Sequence, residues 1–311
     1  MSKKTVLELP SIQKLLEEGV HFGHSPRRWN PKNKQYILKK VRGTHILDPR
    51  ETLESLKEAV EFLNKVSREG GTVLFVGLKR QSRDLVAKYA EEVGVPCMAG
   101  RWVGGLLTNF FEVKKNVSKL KELEEGLARG EFDHYTKKER LDIRRDVEKL
   151  DRDFGGVRGL GDMPAAVVVC STRKGGTAVE EAQKLDIPVV GVVDTDADPR
   201  IDFPIPANDD SIRSLSLLLP ILFEAVKLGR EGKEIDVKVG KSRGKEENGK
   251  EKKEVSKESE SLEGLDLGAR ATNALKKAGL GVEDLRDMSR DALTNVKGIG
   301  KKTAEKIKQA L

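Results

Sequence analysis

The residues with the most evident chemistry in this protein are a run of cations near its N-terminus. Residues 21–43 contain seven Lys or Arg and no Asp or Glu. One sign of charge indicates either a disordered tail or a polyanionic partner, and the aromatic residues in the segment argue against a tail. Arginine beside an aromatic ring suits RNA, because the cation contacts phosphate while the ring stacks on a base. We predict RNA binding here, with an acidic protein surface as the alternative. The predicted contact residues are Arg27, Arg28, Trp29, Lys32 and Lys34.

Two further basic sequences follow predicted strands. Lys79, Arg80 and Arg83 lie where a strand turns into a helix, and the free N–H groups of a helix start favour phosphate. Arg101 and Trp102 form a second Arg–Trp pair beside glycines that allow close backbone approach. We predict RNA contacts at both places. A mononucleotide site is the alternative, but no strand is followed by G-x-G-x-x-G and the sequence has no G-x-x-x-x-G-K-S/T motif. The turn STRKGG at residues 171–176 is a third phosphate-like sequence.

Histidines and aspartates form the candidate metal or catalytic set. His21 and His24 make an H-x-x-H sequence, and four aspartates from Asp194 to Asp202 follow a distant strand. Such residues could supply metal ligands, but they fix neither a geometry nor a metal. We favour packing or hydrogen bonding of the histidines within the basic segment, and we predict no metal and no cofactor. The aspartates are also the best enzyme candidates, because strand C-termini host sites in α/β folds. No activated nucleophile or general base accompanies them, so we predict no catalytic residue.

Composition agrees with a nucleic-acid-binding class of protein. The 311 residues carry 58 Lys or Arg against 51 Asp or Glu, a net charge of +7. The two cysteines, Cys97 and Cys170, exclude a disulfide framework and a cysteine-based zinc site. No apolar run approaches the roughly 18 residues of a membrane span, and the first residues lack an apolar leader. We expect a soluble, basic, intracellular protein with no membrane partner.

The elements that would position these residues alternate between strand and helix. The strand candidates are continuous rather than alternating apolar runs, which suits a parallel sheet covered on both faces. The sequence therefore predicts a doubly wound, mostly parallel α/β sheet. Predicted strands lie at residues 72–77, 96–99, 166–170 and 188–193, and predicted helices at 81–93, 177–185 and 210–228. Three prolines, Pro199, Pro204 and Pro206, indicate a rigid turn after the last of these strands.

An inserted pair of helices interrupts the alternation at residues 110–157. Apolar residues spaced by three and four predict a helix over 112–129, and Thr136 with Glu139 gives the capping box of a second helix. Two such helices joined by a short loop form an antiparallel hairpin. We interpret the hairpin as an arm that grips a large partner, because two helices alone cannot bury both of their flanks. An internal structural hairpin is the alternative.

The C-terminal part of the sequence has a different composition. Residues 229–261 hold 19 charged residues among 33 and no aromatic residue, which predicts a disordered linker. The predicted domains are thus an α/β body at 1–228, this linker, and a small all-α domain at 262–311. In the last domain the glycine-rich turn Gly298–Lys302 precedes a short helix. That arrangement is typical of a helix-hairpin-helix motif, which binds nucleic-acid backbones through N–H groups at a helix start.

Several sequences in the body resemble a known family. HFGHSPRRWNP (21–31), FVGLKR (75–80), RWVGGLLTN (101–109), VDTDADPRIDFPIP (193–206) and NDDSIR (208–213) resemble the family of small-subunit ribosomal protein two. The resemblance covers roughly residues 6–230 in the expected order, the hairpin included. It implies a non-enzymatic constituent of the small ribosomal subunit that binds small-subunit rRNA and supports translation. It also implies neighbouring ribosomal proteins as partners, including the mRNA-binding protein one, and a cytoplasmic location on ribosomes, with organellar ribosomes as the alternative.

The last domain resembles the C-terminal domain of the RNA polymerase alpha subunit. By that resemblance, nucleic-acid contact is expected at Arg270, Asn273, Gly300, Lys301 and Lys302, and the glycine-rich turn adds Gly298. Lys306 stands where that domain commonly has an acidic residue. Small-subunit ribosomal protein two generally lacks such an appendage, so its partner stays open among RNA, DNA and protein. The competing class for the whole protein is a nucleotide-binding α/β enzyme that its tail directs to nucleic acid.

Overall fold

The structure is a computed structural model that describes residues 4–240. The predicted domain at 262–311 and most of the predicted linker lie outside these residues. So do the predicted tail contacts Arg270, Asn273, Gly298, Gly300, Lys301 and Lys302. The strands within 4–240 are β1 (Thr5–Leu9), β2 (Ile37–Val41), β3 (Thr44–Leu47), β4 (Val73–Gly77), β5 (Cys97–Ala99), β6 (Ala166–Val169), β7 (Val189–Val193), β8 (Phe203–Pro206) and β9 (Ile235–Val239). The α-helices are α1 (Ile12–Glu17), α2 (Pro49–Arg68), α3 (Arg80–Val93), α4 (Phe110–Ala128), α5 (Lys137–Phe154), α6 (Gly176–Lys184) and α7 (Ile212–Arg230).

A five-stranded parallel sheet lies at the centre of the fold. Its strand order is β5-β4-β6-β7-β8, and each neighbouring pair is parallel. The backbone thus moves from β4 outward to β5 and then returns to the other side of β4. This is the order of a doubly wound sheet, in which ligands bind where the winding direction reverses. The predicted fold class is confirmed, and the carboxyl ends of all five strands share one edge.

Apolar helices cover both faces of the sheet. On one face, α2, α3 and α7 pack with Phe75, whose ring stacks on Phe223 at a centroid distance of 3.7 Å. On the other face, α6 and the base of the α4–α5 hairpin pack with Leu74 and Val76. Because successive side chains of a strand point to opposite faces, β4 contributes to both apolar clusters. This double coverage explains why the strands carry continuous apolar runs.

The hairpin predicted at 110–157 consists of α4 and α5. Thr136 caps α5 as predicted, since its backbone N–H donates to Glu139 Oε2 at 2.9 Å and its hydroxyl accepts from the Glu139 N–H. Leu120 is fully buried in the seam, and Val113 and Phe154 join the apolar cluster at the base. The rest of both helices is largely exposed and charged. The hairpin therefore depends on the body at one end and on its own narrow seam beyond it.

The predicted linker boundary at residue 229 is wrong. Helix α7 continues to Arg230, and β9 then pairs in parallel with β1, from Thr5 opposite Ile235 to Leu9 opposite Val239. Ile235, Leu7 and Leu9 are buried in the apolar cluster that contains Phe75 and Phe223. Every second residue of β9 is apolar, so it can pair and pack despite its charged neighbours. The body therefore extends to residue 240.

The predicted rigid turn at residues 199–206 is also only partly right. Pro204 and Pro206 lie within β8, which pairs with β7 alone and forms an edge of the sheet. Proline has no N–H to donate, but an edge strand has one side without a ladder partner. Prolines placed on that side leave the pairing with β7 intact. None of the helices found between residues 4 and 240 is long and apolar enough to cross a membrane.

Candidate nucleic-acid interface

The basic segment is fixed against the carboxyl edge of the sheet. The His24 N–H donates to Thr195 Oγ1 at 2.7 Å, and the Asn30 N–H donates to the Thr195 carbonyl at 2.7 Å. The buried Asn33 amide donates to the carbonyls of Asp194 and Ala197 at 3.1 and 2.8 Å. These bonds join the segment to the loop after β7. The segment is thus an ordered platform for its charges rather than a tail.

Ion pairs at the same edge connect His24 with residues that follow β4, β7 and β8. His24 Nδ1 lies 3.0 Å from Asp194 Oδ1, and its Nε2 lies 3.1 Å from Asp210 Oδ2. The hydrogen bond to Asp194 raises the pKa of His24 to about 9 against the opposing effect of burial, so the ring is a cation at neutral pH. Lys79 Nζ lies 2.7 Å from Asp209 and 2.8 Å from Asp210. Burial disfavours the charged lysine, but the two carboxylates outweigh it and raise the pKa of Lys79.

The predicted contact residues divide into cations that are paired and cations that are not. Lys32 pairs with Asp198 at 2.7 Å, and Lys79 is held by two aspartates. The remaining predicted cations are exposed, and no carboxylate of residues 4–240 lies within 4.0 Å of their charged nitrogens. These are Arg27, Arg28, Lys34, Arg80, Arg83 and Arg101. The paired lysines hold the surface together, whereas the unpaired cations are available to phosphate.

The two predicted tryptophans differ in their surroundings. Trp29 is half-buried and tilted against His45, with 5.1 Å between ring centroids. Trp102 packs on the apolar cluster that contains Leu74 and Val76, and its indole N–H donates to Glu181 Oε1 at 2.9 Å. Much of the Trp102 ring is therefore committed to the fold.

Glu181 is a structural residue of this surface that sequence reasoning missed. Its buried carboxylate also accepts the backbone N–H groups of Gly105, Leu107 and Thr108 at 2.8, 3.0 and 3.2 Å. Burial alone would raise the pKa of Glu181, but these bonds and the indole N–H lower it overall. The carboxylate thus shapes the loop that presents Arg101. Trp102 and Glu181 are 79 residues apart in sequence, and no local pattern marks the pairing.

The candidate metal ligands are only partly brought together. One ligand atom each from His24, Asp194 and Asp196 lies within 4.8 Å of the others, so these three residues could hold a cation. Asp198 instead pairs with Lys32 and Arg200, and Asp202 accepts the Val189 N–H. His21 packs on Phe22 at a centroid distance of 4.1 Å. The two ring nitrogens of His24 lie against Asp194 and Asp210.

Two parts of the sequence match models of known protein families. The model of the family "Ribosomal protein S2" matches residues 15–229. The model of the C-terminal domain of the alpha subunit of bacterial RNA polymerase matches residues 247–311.

Curated relatives named "Small ribosomal subunit protein uS2" are similar over most of the sequence. The Salinispora arenicola protein is 47% identical over 221 residues, which cover 70% of this protein and 79% of the relative. The Tropheryma whipplei protein is 49% identical over 224 residues, covering 72% and 77%. The Mycolicibacterium paratuberculosis protein is 44% identical over 238 residues, covering 76% and 85%. The class of protein is ribosomal. The chain belongs to the Ribosomal protein S2 family, as its sequence motifs indicated.

Proposed function

We propose that this protein is a structural component of the small ribosomal subunit that binds small-subunit rRNA through unpaired cations at the carboxyl edge of its sheet. The observation that carries this proposal is the division of charge at that edge. Lys32 and Lys79 are neutralised by aspartates, whereas Arg27, Arg28 and Arg80 are exposed without a carboxylate partner in the described residues. Unpaired cations on a fixed scaffold contact phosphates without first breaking an ion pair.

Each predicted contact residue has a role in this proposal. The unpaired cations Arg27, Arg28, Lys34, Arg80, Arg83 and Arg101 contact phosphates. Trp29 offers the free part of its ring to a base. Lys32, Lys79 and Trp102 position the segments that carry these groups. The aspartates at the edge serve as partners of cations, which supports a binding protein over an enzyme.

Protein partners are proposed at a separate surface. Helix α1 lies beside the first turn of α7, where Arg213 donates to Glu18 at 2.9 Å. Ile12, Leu16 and Ile212 are exposed on these elements. Exposed apolar side chains favour contact with another protein, and the family resemblance suggests neighbouring small-subunit proteins, among them the mRNA-binding protein one. We place the protein on ribosomes in the cytoplasm.

The tail is proposed as an accessory nucleic-acid-binding module. The family match at 247–311 supports this role, and the expected contacts are Arg270, Asn273, Gly298, Gly300, Lys301 and Lys302. Its ligand is proposed to be a nucleic-acid backbone, because a glycine-rich turn before a helix and two lysines favour phosphate. Incorporation of the body does not require it.

Subunit occupancy tests both parts of the proposal. Purified small subunits should contain the full-length protein in a one-to-one ratio after a moderate salt wash, measured by quantitative mass spectrometry. A variant truncated after Gly240 should reach the same occupancy, because β9 and the whole described body remain. The full-length variant Lys301→Glu/Lys302→Glu is the matched control and should also incorporate fully. Absence of the full-length protein from small subunits would refute the ribosomal role, whereas loss of the truncated variant alone would refute only the accessory role of the tail.

A further inference from the structure

A small cleft at the carboxyl edge of the sheet is lined mainly by cations. Its volume is about 280 Å³, and it is formed by Arg28, Lys79, Arg173, Lys174 and Asp196. The cations come from three separate segments of the sequence: the basic segment, the end of β4 and the turn after β6. The fold therefore brings four cationic side chains together around one cleft.

The position of the cleft is the position at which this type of sheet binds ligands. The backbone leaves β4 toward β5 on one side, whereas β6 lies on the other side of β4. Loops at the carboxyl ends of β4 and β6 diverge at such a reversal and leave a crevice between them. Lys79 follows β4, and Arg173 with Lys174 follows β6. The basic segment adds Arg28 to that crevice.

The four cations of the cleft play two different parts. Arg173 Nη1 lies 2.6 Å from Asp196 Oδ2, and Lys79 lies within 2.8 Å of both Asp209 and Asp210. These carboxylates fix the direction of the two side chains. Arg28 and Lys174 have no carboxylate within 4.0 Å among residues 4–240. Their charge is therefore the part that an incoming anion would neutralise.

The residues around the cleft limit its ligand. Sites for whole small molecules are lined mainly by apolar and aromatic side chains, whereas all five residues around this cleft are charged. Arginine side chains bind phosphate oxygens through two parallel N–H bonds, and lysine adds a point charge. A single phosphate group matches this charged lining better than a complete nucleotide does.

We propose that this cleft seats one backbone phosphate of small-subunit rRNA between Arg28 on one side and Arg173 with Lys174 on the other. The inference rests on the proposed rRNA binding and adds to it a defined phosphate site with two further residues. Lys174 supplies a charge that is unpaired in the described residues, and Arg173 supplies N–H donors that Asp196 orients. Asp196 acts as a positioning residue, since it holds the Arg173 guanidinium at the rim of the cleft.

The test is the salt dependence of binding to small-subunit rRNA transcribed in vitro, with the full-length protein. The slope of log affinity against log salt is negative, and each lost phosphate contact reduces the magnitude of this slope by about 0.7–0.9. A lower slope means a smaller magnitude throughout. Arg173→Ala/Lys174→Ala should lower the slope by one such step and weaken binding about tenfold at low salt. Lys65→Ala/Arg68→Ala is the matched control, because it removes the same amount of positive charge from exposed residues. These residues lie at the end of α2, toward the opposite edge of the sheet.

A combination of variants shows whether the two sides share one phosphate. Arg28→Ala alone should also lower the slope by one step. If both sides hold the same phosphate, the triple variant Arg28→Ala/Arg173→Ala/Lys174→Ala loses no more slope than the double variant does. Slope losses that add would mean separate phosphates and would overturn the shared seat. Circular dichroism confirms that each variant is folded.

Two other results would also overturn the proposal. An unchanged slope for Arg173→Ala/Lys174→Ala would show that the cleft does not contact rRNA. Titration with AMP distinguishes a backbone phosphate of rRNA from the phosphate of a free mononucleotide. If the wild type binds AMP, and the double variant loses AMP binding but keeps its rRNA binding, the cleft is a mononucleotide site instead. Failure of the wild type to bind small-subunit rRNA at all would refute the proposed function rather than the cleft alone.

Discussion

Two Arg–Trp pairs occur in the sequence, Arg28–Trp29 and Arg101–Trp102, and the fold uses them differently. Both arginines are exposed and have no carboxylate partner in the described residues. Trp29 tilts against His45 and keeps part of its ring free, whereas Trp102 is tied to the core through Glu181. The same two residue types thus give one stacking surface and one structural anchor. What separates them is the residue on which each loop is fixed.

The two loops are fixed by groups of opposite charge. The basic segment is held by a cation, His24, which lies among the carboxylates of Asp194 and Asp210. The loop at 101–109 is held by an anion, Glu181, which accepts backbone and indole N–H groups. A basic surface can therefore be built either by inserting a cation into an acidic pocket or by folding backbone donors around one acid. The following predictions test that distinction, from the largest expected effect to the smallest.

Removing the anionic anchor should have the largest effect. Glu181→Ala leaves several N–H groups of the loop without an acceptor, one of them the buried Leu107 N–H. We expect the free energy of unfolding to fall by about 3–5 kcal/mol in urea titrations. Glu180→Ala is the control, because this neighbouring glutamate of α6 is exposed and unpaired in the described structure. Equal effects of the two substitutions would mean that Glu181 does not hold the loop.

Removing the cationic anchor should have a pH-dependent effect. The folded pKa of His24 is raised from 6.5 to about 9, so its stabilisation is complete below pH 6.5 and is lost as the pH rises through about 9. We expect the difference in unfolding free energy between wild type and His24→Asn to shrink by about 2–3 kcal/mol over that range, measured with a chelator present. His134→Asn, an exposed histidine of the hairpin, should show no such trend. A difference that grows with pH would contradict the cationic anchor.

The smallest effect is expected in RNA binding at the basic segment. Arg27→Ala/Lys34→Ala removes two unpaired cations. The magnitude of the slope of log affinity against log salt for small-subunit rRNA should therefore decrease by about 1.4–1.8. Lys32→Ala should change the slope by much less, because Asp198 already neutralises that ammonium. Filter binding between about 50 and 200 mM salt measures both. If Lys32→Ala lowers the slope by as much per residue, ion pairing does not decide which cations contact RNA.

Most of the central elements could be predicted from sequence because their signals are local. The observed ends of β4, β6, β7, α3, α6 and α7 lie within about two residues of the predicted ones. The capping box at Thr136 and Glu139 also formed as expected. Apolar runs and caps involve residues close in sequence, so a single sequence is enough to show them.

The features that sequence reasoning missed depend on distant partners. Strand β9 lies in a charged stretch and becomes a strand by pairing with β1, some 230 residues away. Glu181 resembles any polar residue of a helix until the loop at 101–109 folds around it. The distinction between Lys32 and Arg27 likewise depends on Asp198, which follows a distant strand. Composition located the basic surface, but only the tertiary arrangement shows which of its charges are neutralised.

The pairing of β1 with β9 also has a mechanical consequence. Any tension carried by the backbone beyond residue 240 enters the body through β9. The five residues of β9 are held along their length by β1, from the bond between Thr5 and Glu234 to that between Gly240 and Leu9, each 2.8 Å long. A pull along the strand loads these bonds together in shear instead of opening them one by one. The β1–β9 pair would thus bear the load first, and the five-stranded sheet would bear it only after β9 separates from β1.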